Sequence, residues 1–145
     1  MEDKRKVLIV EDDKLLALVE ERLVERLGFE VVGTAVTGEQ AIAMVKDSKP
    51  DIILMDISLK GDMDGIEAVE KIRESASTPV IYLSGNSDKF NFERAKKTDF
   101  VDYLVKPVTA DDLIGPLKKA VTVLTSIGAR KPSGKSSGKS VSQAS

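Results

Sequence analysis

The chain has 145 residues, with 22 basic and 24 acidic side chains and neither cysteine nor histidine. This length suits a single domain with a hydrophobic core. The missing residue types exclude disulfides, thiolate chemistry, serine–histidine nucleophile pairs and a phosphohistidine carried by the chain itself. Four basic residues and no acid fall within residues 128–145, so the remainder of the chain is acidic, which argues against a nucleic-acid ligand.

Runs of apolar, β-branched residues alternate along the chain with segments whose apolar residues recur at helical spacing. The first run, Val7 to Val10, is too short for a signal peptide or a membrane span. The alternation predicts a parallel sheet with right-handed crossovers and helices on both faces. The predicted strands are 7–10, 29–36, 52–55, 80–83 and 103–105, and helices are predicted to begin near residues 13, 37, 66, 89 and 109.

Three of these helices carry specific expectations. The fourth has only two large apolar residues, Phe90 and Phe92, and should be weakly anchored. In the fifth, Gly115-Pro116 predicts a kink or a late start, because proline removes a backbone hydrogen bond. The first is expected to pack one apolar face against the sheet, made of Leu16, Val19, Leu23, Val24 and Leu27.

The C-terminal stretch is rich in serine, glycine and lysine and has almost nothing to bury. A segment of this composition cannot offset the entropy that it would lose on folding. We therefore expect one domain over residues 5–127 and a disordered basic tail over residues 128–145.

Polar residues stand where the predicted strands end. The third strand stops on Asp56, and the first runs into Glu11 and Asp12. The fourth strand ends at Ser84, and the fifth is followed by Lys106. In open α/β sheets, ligands bind in the crevice outside the carboxyl ends of the strands. The sequence therefore predicts that these five side chains share one site.

The acids of this set point to a cation. Two carboxylates about 4 Å apart repel by roughly 4 kcal/mol at an effective dielectric near 20, so Glu11, Asp12 and Asp56 would need a cation or protons. Oxygen ligands without histidine or cysteine favour Mg²⁺. A neutralised aspartate can attack phosphorus to form an acyl phosphate, and Lys106 and Ser84 could bind the phosphoryl oxygens.

Each residue also has an ordinary structural interpretation when it is taken alone. Acids before a helix commonly serve as caps that the helix dipole favours, and we expect Asp13 to do only that. Asp56 and Ser84 alone could be turn residues, and Lys106 alone a solvated surface residue. Their coincidence at four strand ends is what favours a phosphoryl-transfer site.

Five motifs carry a family resemblance: Val-Leu-Ile-Val-Glu-Asp-Asp at 7–13, Asp-Ile-Ile-Leu-Met-Asp at 51–56, Met-Asp-Gly at 63–65, Val-Ile-Tyr-Leu-Ser at 80–84 and Asp-Tyr-Leu-Val-Lys-Pro at 102–107. With them the chain resembles the response-regulator receiver domains of two-component signalling over about residues 5–127. The resemblance implies a flavodoxin-like α/β fold, a doubly wound five-stranded parallel sheet in the order 2-1-3-4-5 with five helices. That order comes from the family and not from the hydrophobic pattern.

The resemblance also implies roles for single residues and for partners. Asp56 would be the phosphoacceptor, and a sensor histidine kinase or a histidine phosphotransfer protein would be its donor. A downstream protein of unknown identity would recognise the changed surface. The resemblance also allows a phosphorylation-dependent homodimer, and it implies no nucleic-acid or membrane partner. The implied Mg²⁺ ligands are Glu11, Asp12, Asp56 and the backbone carbonyl of Ser58; the implied phosphate-binding and switch residues are Ser84, Lys106 and Tyr103; and a cis peptide bond would precede Pro107.

We thus expect a stand-alone cytoplasmic response regulator that is no enzyme beyond assisting its own phosphorylation and dephosphorylation. One alternative is a Mg²⁺-dependent aspartyl-phosphate phosphohydrolase, which would normally carry a second acid two residues after the nucleophile, where this chain has Ser58. A receiver-like module that signals without phosphorylation is disfavoured by the retained site residues. A module cut from a larger regulator or hybrid kinase remains a further alternative.

Overall fold

Strands and helices alternate from one end of the chain to the other. The structure is a computed structural model that describes residues 4–85 and 89–130. Its strands are β1 (Lys6–Val10), β2 (Glu30–Ala35), β3 (Ile52–Asp56), β4 (Val80–Ser84) and β5 (Asp102–Val105). Its helices are α1 (Lys14–Arg26), α2 (Gly38–Ser48), α3 (Gly65–Ile72), α4 (Lys89–Lys96) and α5 (Ala110–Arg130).

The five strands are parallel and lie in the order β2-β1-β3-β4-β5, which confirms the expected topology. β3 occupies the centre, paired with β1 on one side and β4 on the other, and all five of its residues are buried. A strand covered on both faces needs apolar side chains in both directions, which explains the continuous run from Ile52 to Met55. Only its last residue, Asp56, is charged.

Two hydrophobic clusters cover the two faces of the sheet. One contains Leu8, Val10 and Ile53 with side chains of α2 and α3, and the other contains Val7 and Ile9 with side chains of α1 and α5. Full burial of a valine, leucine or isoleucine side chain contributes roughly 1.5–3 kcal/mol. Together the two clusters hold the sheet rigidly enough to fix the residues at its carboxyl edge.

The expected apolar face of α1 is partly wrong. Val19 is 46% exposed, and the buried residues of this helix are Ala17, Glu20 and Val24. The buried face of α1 therefore differs from the predicted one. It includes a carboxyl group, that of Glu20. The prediction that Asp13 caps this helix is confirmed, since its side chain accepts hydrogen bonds from two backbone N–H groups of the first turn.

Helix α5 begins at Ala110 and continues through Pro116, so the expected late start is wrong. Its inner face is apolar as predicted, with Leu113 and Leu117 buried. The helix runs to Arg130, three residues into the stretch for which a disordered tail was predicted, and residues 131–145 lie outside the described residues. Within the described ranges, no helix combines the length and the apolar character that crossing a membrane requires.

Candidate functional site

The hydrogen-bond ladder of the sheet extends one residue beyond β1 and β5 and fixes the site at its carboxyl edge. The backbone N–H of Glu11 donates to the carbonyl of Ala35 at 2.9 Å, and that of Lys106 donates to the carbonyl of Ser84 at 2.7 Å. Asp56 is itself the last residue of β3. Residues that stand far apart in the chain are thereby brought side by side on rigid backbone.

Three carboxylates converge at this edge. Glu11 and Asp56 are completely buried, Asp12 is half-buried, and one carboxylate oxygen from each lies within 4.8 Å of the others. The structure thus brings together the three acids that the sequence singled out. Their mutual repulsion has to be offset by a positive charge or by protons.

Lys106 supplies one positive charge to the cluster. Its ammonium nitrogen lies 3.1 Å from Oε1 of Glu11 and 3.2 Å from Oδ1 of Asp56, and its side chain is 15% exposed. Burial opposes the charged form of this lysine, but the carboxylates of Asp56 and Glu11 outweigh burial and raise its pKa. Lys106 is therefore a fixed positive charge between two buried carboxyl groups.

A single ammonium does not satisfy the site. Burial, followed by the negative charge of Glu11, raises the pKa of Asp56 to about 7 from its ordinary value of 3.8. Within the described part of the chain, Oδ2 of Asp56 is buried and has no hydrogen-bond partner. An oxygen-only donor set with surplus negative charge and a buried free oxygen fits Mg²⁺, which prefers carboxylate, carbonyl and water ligands.

The loop after β3 is folded against the phosphoacceptor candidate. The backbone N–H of Ser58 donates to Oδ1 of Asp56 at 3.2 Å, which places Ser58 beside the carboxylate, whereas the metal-binding role of its carbonyl stays a prediction. The N–H of Gly65 donates to the carbonyl of Ile57 at 2.7 Å, and a Cβ atom at position 65 would overlap the backbone oxygen of Asp56. The glycine of the Met-Asp-Gly motif is required by this close approach.

Ser84 and Tyr103 lie on the side of the site formed by β4 and β5. Ser84 is buried at the end of β4, next to the strand that carries Asp56. The ring of Tyr103 packs nearly perpendicular to that of Phe92, with centroids 5.1 Å apart, and also contacts Phe100. Its hydroxyl is buried and has no hydrogen-bond partner among the described residues. Tyr103 is thus turned into an aromatic cluster.

The peptide bond between Lys106 and Pro107 is cis, as the resemblance implied.

Helix α4 was expected to be weakly anchored to the rest of the domain. Its Phe90 is 67% exposed and its Phe92 37% exposed, and among the described residues the salt bridge that leaves α4 joins Arg94 to Asp64, the N-cap of α3, at 2.9 Å. Helix α4 therefore rests on few buried side chains, as its composition indicated.

One residue of the site was missed by the sequence analysis. Glu20 of α1 is 3% exposed and lies close enough to Glu11 to feel its negative charge. Burial, and after it Glu11, raises the pKa of Glu20 to about 9 from 4.5. The available signal was the spacing of Ala17, Glu20 and Val24, which places the acid between two apolar residues on one face of the helix.

Known proteins are similar to this chain in sequence. The sequence model of the family described as the response regulator receiver domain matches residues 7–118. The transcriptional regulatory protein PdtaR of Mycobacterium tuberculosis is 34% identical over 118 residues, or 81% of this chain and 57% of PdtaR. The chemotaxis protein CheY of Thermotoga maritima is 30% identical over 116 residues, or 79% of this chain and 96% of CheY.

The solved structures include a similar fold. The signal receiver domain of a modulated diguanylate cyclase from Desulfovibrio desulfuricans G20 matches with a TM-score of 0.79 and 36% identity, covering 85% of this chain and 98% of that one. This chain spans little more than half the length of PdtaR and nearly all of CheY. The similarity therefore concerns the domain that contains the carboxylate site.

Proposed function

This chain belongs to the response regulator receiver domain family, and from that premise we propose that Asp56 accepts a phosphoryl group from a phosphohistidine of a sensor histidine kinase or histidine phosphotransfer protein. The observation that carries the proposal is the buried Asp56 carboxylate at a strand end, with the Lys106 ammonium 3.2 Å from its Oδ1. A nucleophile needs such a fixed cation because negative charge gathers on the phosphoryl oxygens during transfer.

In the transfer, an oxygen of the Asp56 carboxylate forms a bond to phosphorus as the phosphorus–nitrogen bond of the phosphohistidine breaks. The bonding electron pair leaves with the imidazole, and the product on this chain is an acyl phosphate. Lys106 holds phosphoryl oxygens by charge, and the Ser84 hydroxyl donates a hydrogen bond to them. Ser84 is the last residue of β4, the strand next to β3, and Lys106 follows β5, one strand further along.

We assign the cation of the site to Mg²⁺, held by Glu11, Asp12, Asp56 and the backbone carbonyl of Ser58. Bound there, the ion would neutralise the carboxylates and polarise the phosphoryl group. The support is the convergence of the three carboxylates within 4.8 Å beside a single lysine, together with the pKa of Asp56, which burial and then Glu11 raise to about 7.

We further propose that the phosphorylated chain acts through a protein contact rather than as an enzyme. Ser84 moves to bind the phosphoryl group, Tyr103 responds, and the population shifts toward a different surface on α4, β5 and α5. In favour of this surface, Phe90 of α4 and Val105 of β5 are 67% and 49% exposed. An apolar surface of this kind suits a protein partner, including a second copy of the chain.

The test is intact mass after incubation with acetyl phosphate, with and without Mg²⁺. Expected is a Mg²⁺-dependent gain of one phosphoryl group that is lost at alkaline pH and is absent in Asp56→Asn. Asp47→Asn, an exposed acid on α2, is the matched control and should be labelled like the wild type. Labelling of Asp56→Asn would contradict the assignment, and fast phosphate release without an adduct would favour the phosphohydrolase instead.

A second experiment addresses the partners. The chain labelled by a phosphohistidine donor and the unlabelled chain are compared by size-exclusion chromatography with light scattering, alone and with a candidate downstream protein. The proposal expects a change in mass on phosphorylation for either the chain alone or the mixture. Equal binding by the wild type and Asp56→Asn under phosphorylating conditions would show that the output does not depend on the phosphoryl group.

A further inference from the structure

A two-bonded ion pair joins α4 to the start of α3. The Arg94 guanidinium donates to Oδ2 of Asp64 at 2.9 Å and to Oδ1 at 3.3 Å. The two side chains are 28% and 30% exposed. Two bonds from one planar guanidinium require it to stay aligned with the carboxylate, so a small displacement of either partner breaks the pair. The pair therefore holds α4 in one position relative to α3.

The ion pair is not needed to cap α3. Oδ1 of Asp64 accepts the backbone N–H of Glu67 at 2.8 Å, and Oε1 of Glu67 accepts the N–H of Asp64 at 2.9 Å. This reciprocal capping box satisfies two N–H groups at the start of the helix without Arg94. Ion pairs that remain partly exposed also contribute little to the free energy of unfolding. What Arg94 adds is a connection between two elements rather than stability.

Asp64 lies at the end of the loop that is folded against Asp56. The residue after it, Gly65, donates from its N–H to the carbonyl of Ile57 at 2.7 Å, and the N–H of Ser58 donates to Oδ1 of Asp56 at 3.2 Å. The close approach of Gly65 to the backbone of Asp56 leaves this loop little freedom. The Asp56 carboxylate and Asp64 are therefore connected through two hydrogen bonds and a short length of backbone.

Helix α4 has further contacts on its other side and after its last residue. The ring of Phe92 packs against that of Tyr103, with centroids 5.1 Å apart. Beyond the helix, the guanidinium of Arg73, the C-cap of α3, donates to the carbonyls of Thr98 at 2.9 Å and Asp99 at 3.3 Å. The Arg73 contacts hold backbone that leads into β5. Of these two connections between α3 and α4, the Arg94 pair is the one that a shift of the helix can break while that backbone stays in place.

We propose that the Arg94–Asp64 pair opposes phosphorylation: it holds α4 in its position in the unmodified chain, and it breaks when Asp56 is phosphorylated. The inference rests on the proposed phosphoacceptor function. The pair is formed in the chain with an unmodified Asp56, so it stabilises the unmodified state. A contact that one state makes and the other loses lowers the population of the second state. Removal of the pair should therefore favour phosphorylation.

The experiment measures the rate of labelling by acetyl phosphate at saturating Mg²⁺, followed by intact mass. Arg94→Met removes the charge and keeps an apolar stem, and Asp64→Asn removes the charge and keeps a good N-cap. We expect labelling of each variant to be about 2-fold to 5-fold faster than that of the wild type, because more of the chain is then in the position that favours phosphorylation. The double variant should be labelled no faster than either single variant, since there is one pair to lose.

Two controls remove the same charges nearby. Lys97→Met changes an exposed position just after α4, and Asp62→Asn changes an exposed acid in the same loop as Asp64. Both should be labelled at the wild-type rate, which separates loss of the pair from a change in net charge. Urea unfolding checks that each variant is folded, and Arg94→Gln takes the place of Arg94→Met if that variant is not. Faster labelling is a change that a purely structural role for the pair does not produce.

Hydrogen exchange of the α4 amides, residues 89–96, tests the reciprocal effect. In the unmodified chain these amides should exchange faster in Arg94→Met than in the wild type, because the helix has lost a connection to α3. The difference between the two chains should shrink after phosphorylation. Linkage requires this result, because a pair that opposes phosphorylation is weakened by phosphorylation to the same extent.

Three outcomes would overturn the inference. Unchanged or slower labelling of Arg94→Met and Asp64→Asn would mean that the pair does not oppose phosphorylation. Additive effects in the double variant would mean that the two residues act separately. Absence of labelling in the wild type would remove the phosphoacceptor proposal as well, whereas a labelled wild type with unchanged variants removes only the role of the pair.

Discussion

The ammonium nitrogen of Lys106 lies 3.2 Å from Oδ1 of Asp56, and both side chains are largely removed from water. Exposed ion pairs contribute little, but a buried charge that loses its partner is strongly destabilising. The same lysine also contacts Glu11, so that its removal would leave two buried carboxylates without a cation.

Substitution of Lys106 should show how far the stability of the fold depends on its positive charge. We expect Lys106→Met to lower the free energy of unfolding by about 2–4 kcal/mol in the absence of Mg²⁺, and added Mg²⁺ to recover more stability in the variant than it adds to the wild type. Urea unfolding with and without MgCl₂ measures both effects. Lys119→Met, which breaks an exposed pair with Asp102, should cost about 0.5 kcal/mol or less. Similar losses in the two variants would contradict the buried-charge account.

The stability of the metal-free chain should fall as pH rises. The pKa values of Asp56 and Glu20 are raised to about 7 and about 9, so the folded chain keeps protons that the unfolded chain releases near pH 4. The stabilisation by these protons is complete below about pH 4 and is lost as pH rises through 7 and then 9. Urea unfolding in EDTA across this range should show the decline.

Two changes should flatten that pH dependence. Asp56→Asn removes one of the groups that must ionise, and the variant should be more stable than the wild type at about pH 8 by on the order of 2 kcal/mol. Saturating Mg²⁺ should act in the same direction, because the cation takes over the role of the protons. Stability that increases between pH 5 and pH 8 in EDTA would show that the cluster is ionised in the fold at little cost.

Two tyrosines on neighbouring strands should respond in opposite ways to loss of their hydroxyl groups. The hydroxyl of Tyr82 is 2.7 Å from that of Thr98, whereas the buried hydroxyl of Tyr103 has no partner among the described residues. Tyr82→Phe should therefore cost about 1 kcal/mol, and Tyr103→Phe should be neutral or slightly stabilising. Urea unfolding of the two variants measures the contrast, and an equal cost for both would mean that Tyr103 is hydrogen-bonded in solution.

Two glycines offer a further matched pair. A Cβ at Gly65 would overlap the backbone oxygen of Asp56, whereas one at Gly115 of α5 would meet no atom within 4 Å. We expect Gly65→Ala to destabilise the chain by about 1–3 kcal/mol and to slow labelling by acetyl phosphate, since Asp56 must shift. Gly115→Ala should stabilise it by about 0.5–1 kcal/mol through helix propensity and leave labelling unchanged. Normal labelling by a folded Gly65→Ala variant would show that the backbone of Asp56 adapts.

The carboxyl edge of the sheet could be predicted from the sequence because parallel strands place their ends together. Asp56, Glu11 and Lys106 each follow an apolar run, and the position of each run fixes where the residue after it lies. The same reasoning failed for α1. Apolar spacing alone placed Val19 inward, although it is 46% exposed, and it gave no place to Glu20.

The difference has a physical reason. Apolar side chains are buried wherever they fit, so their pattern can be read locally, whereas a polar side chain is buried only where a specific partner offsets its desolvation. Glu11, whose charge acts on Glu20, follows β1, and the partners of Lys106 lie 95 and 50 positions away in the chain. Arg94 of α4 pairs with Asp64, the N-cap of α3. The sequence by itself determined the order of strands and helices and the residues at the strand ends. Which charges share the interior, and therefore the pKa of Asp56 and the setting of Glu11, was decided only by the packing of the helices against the sheet.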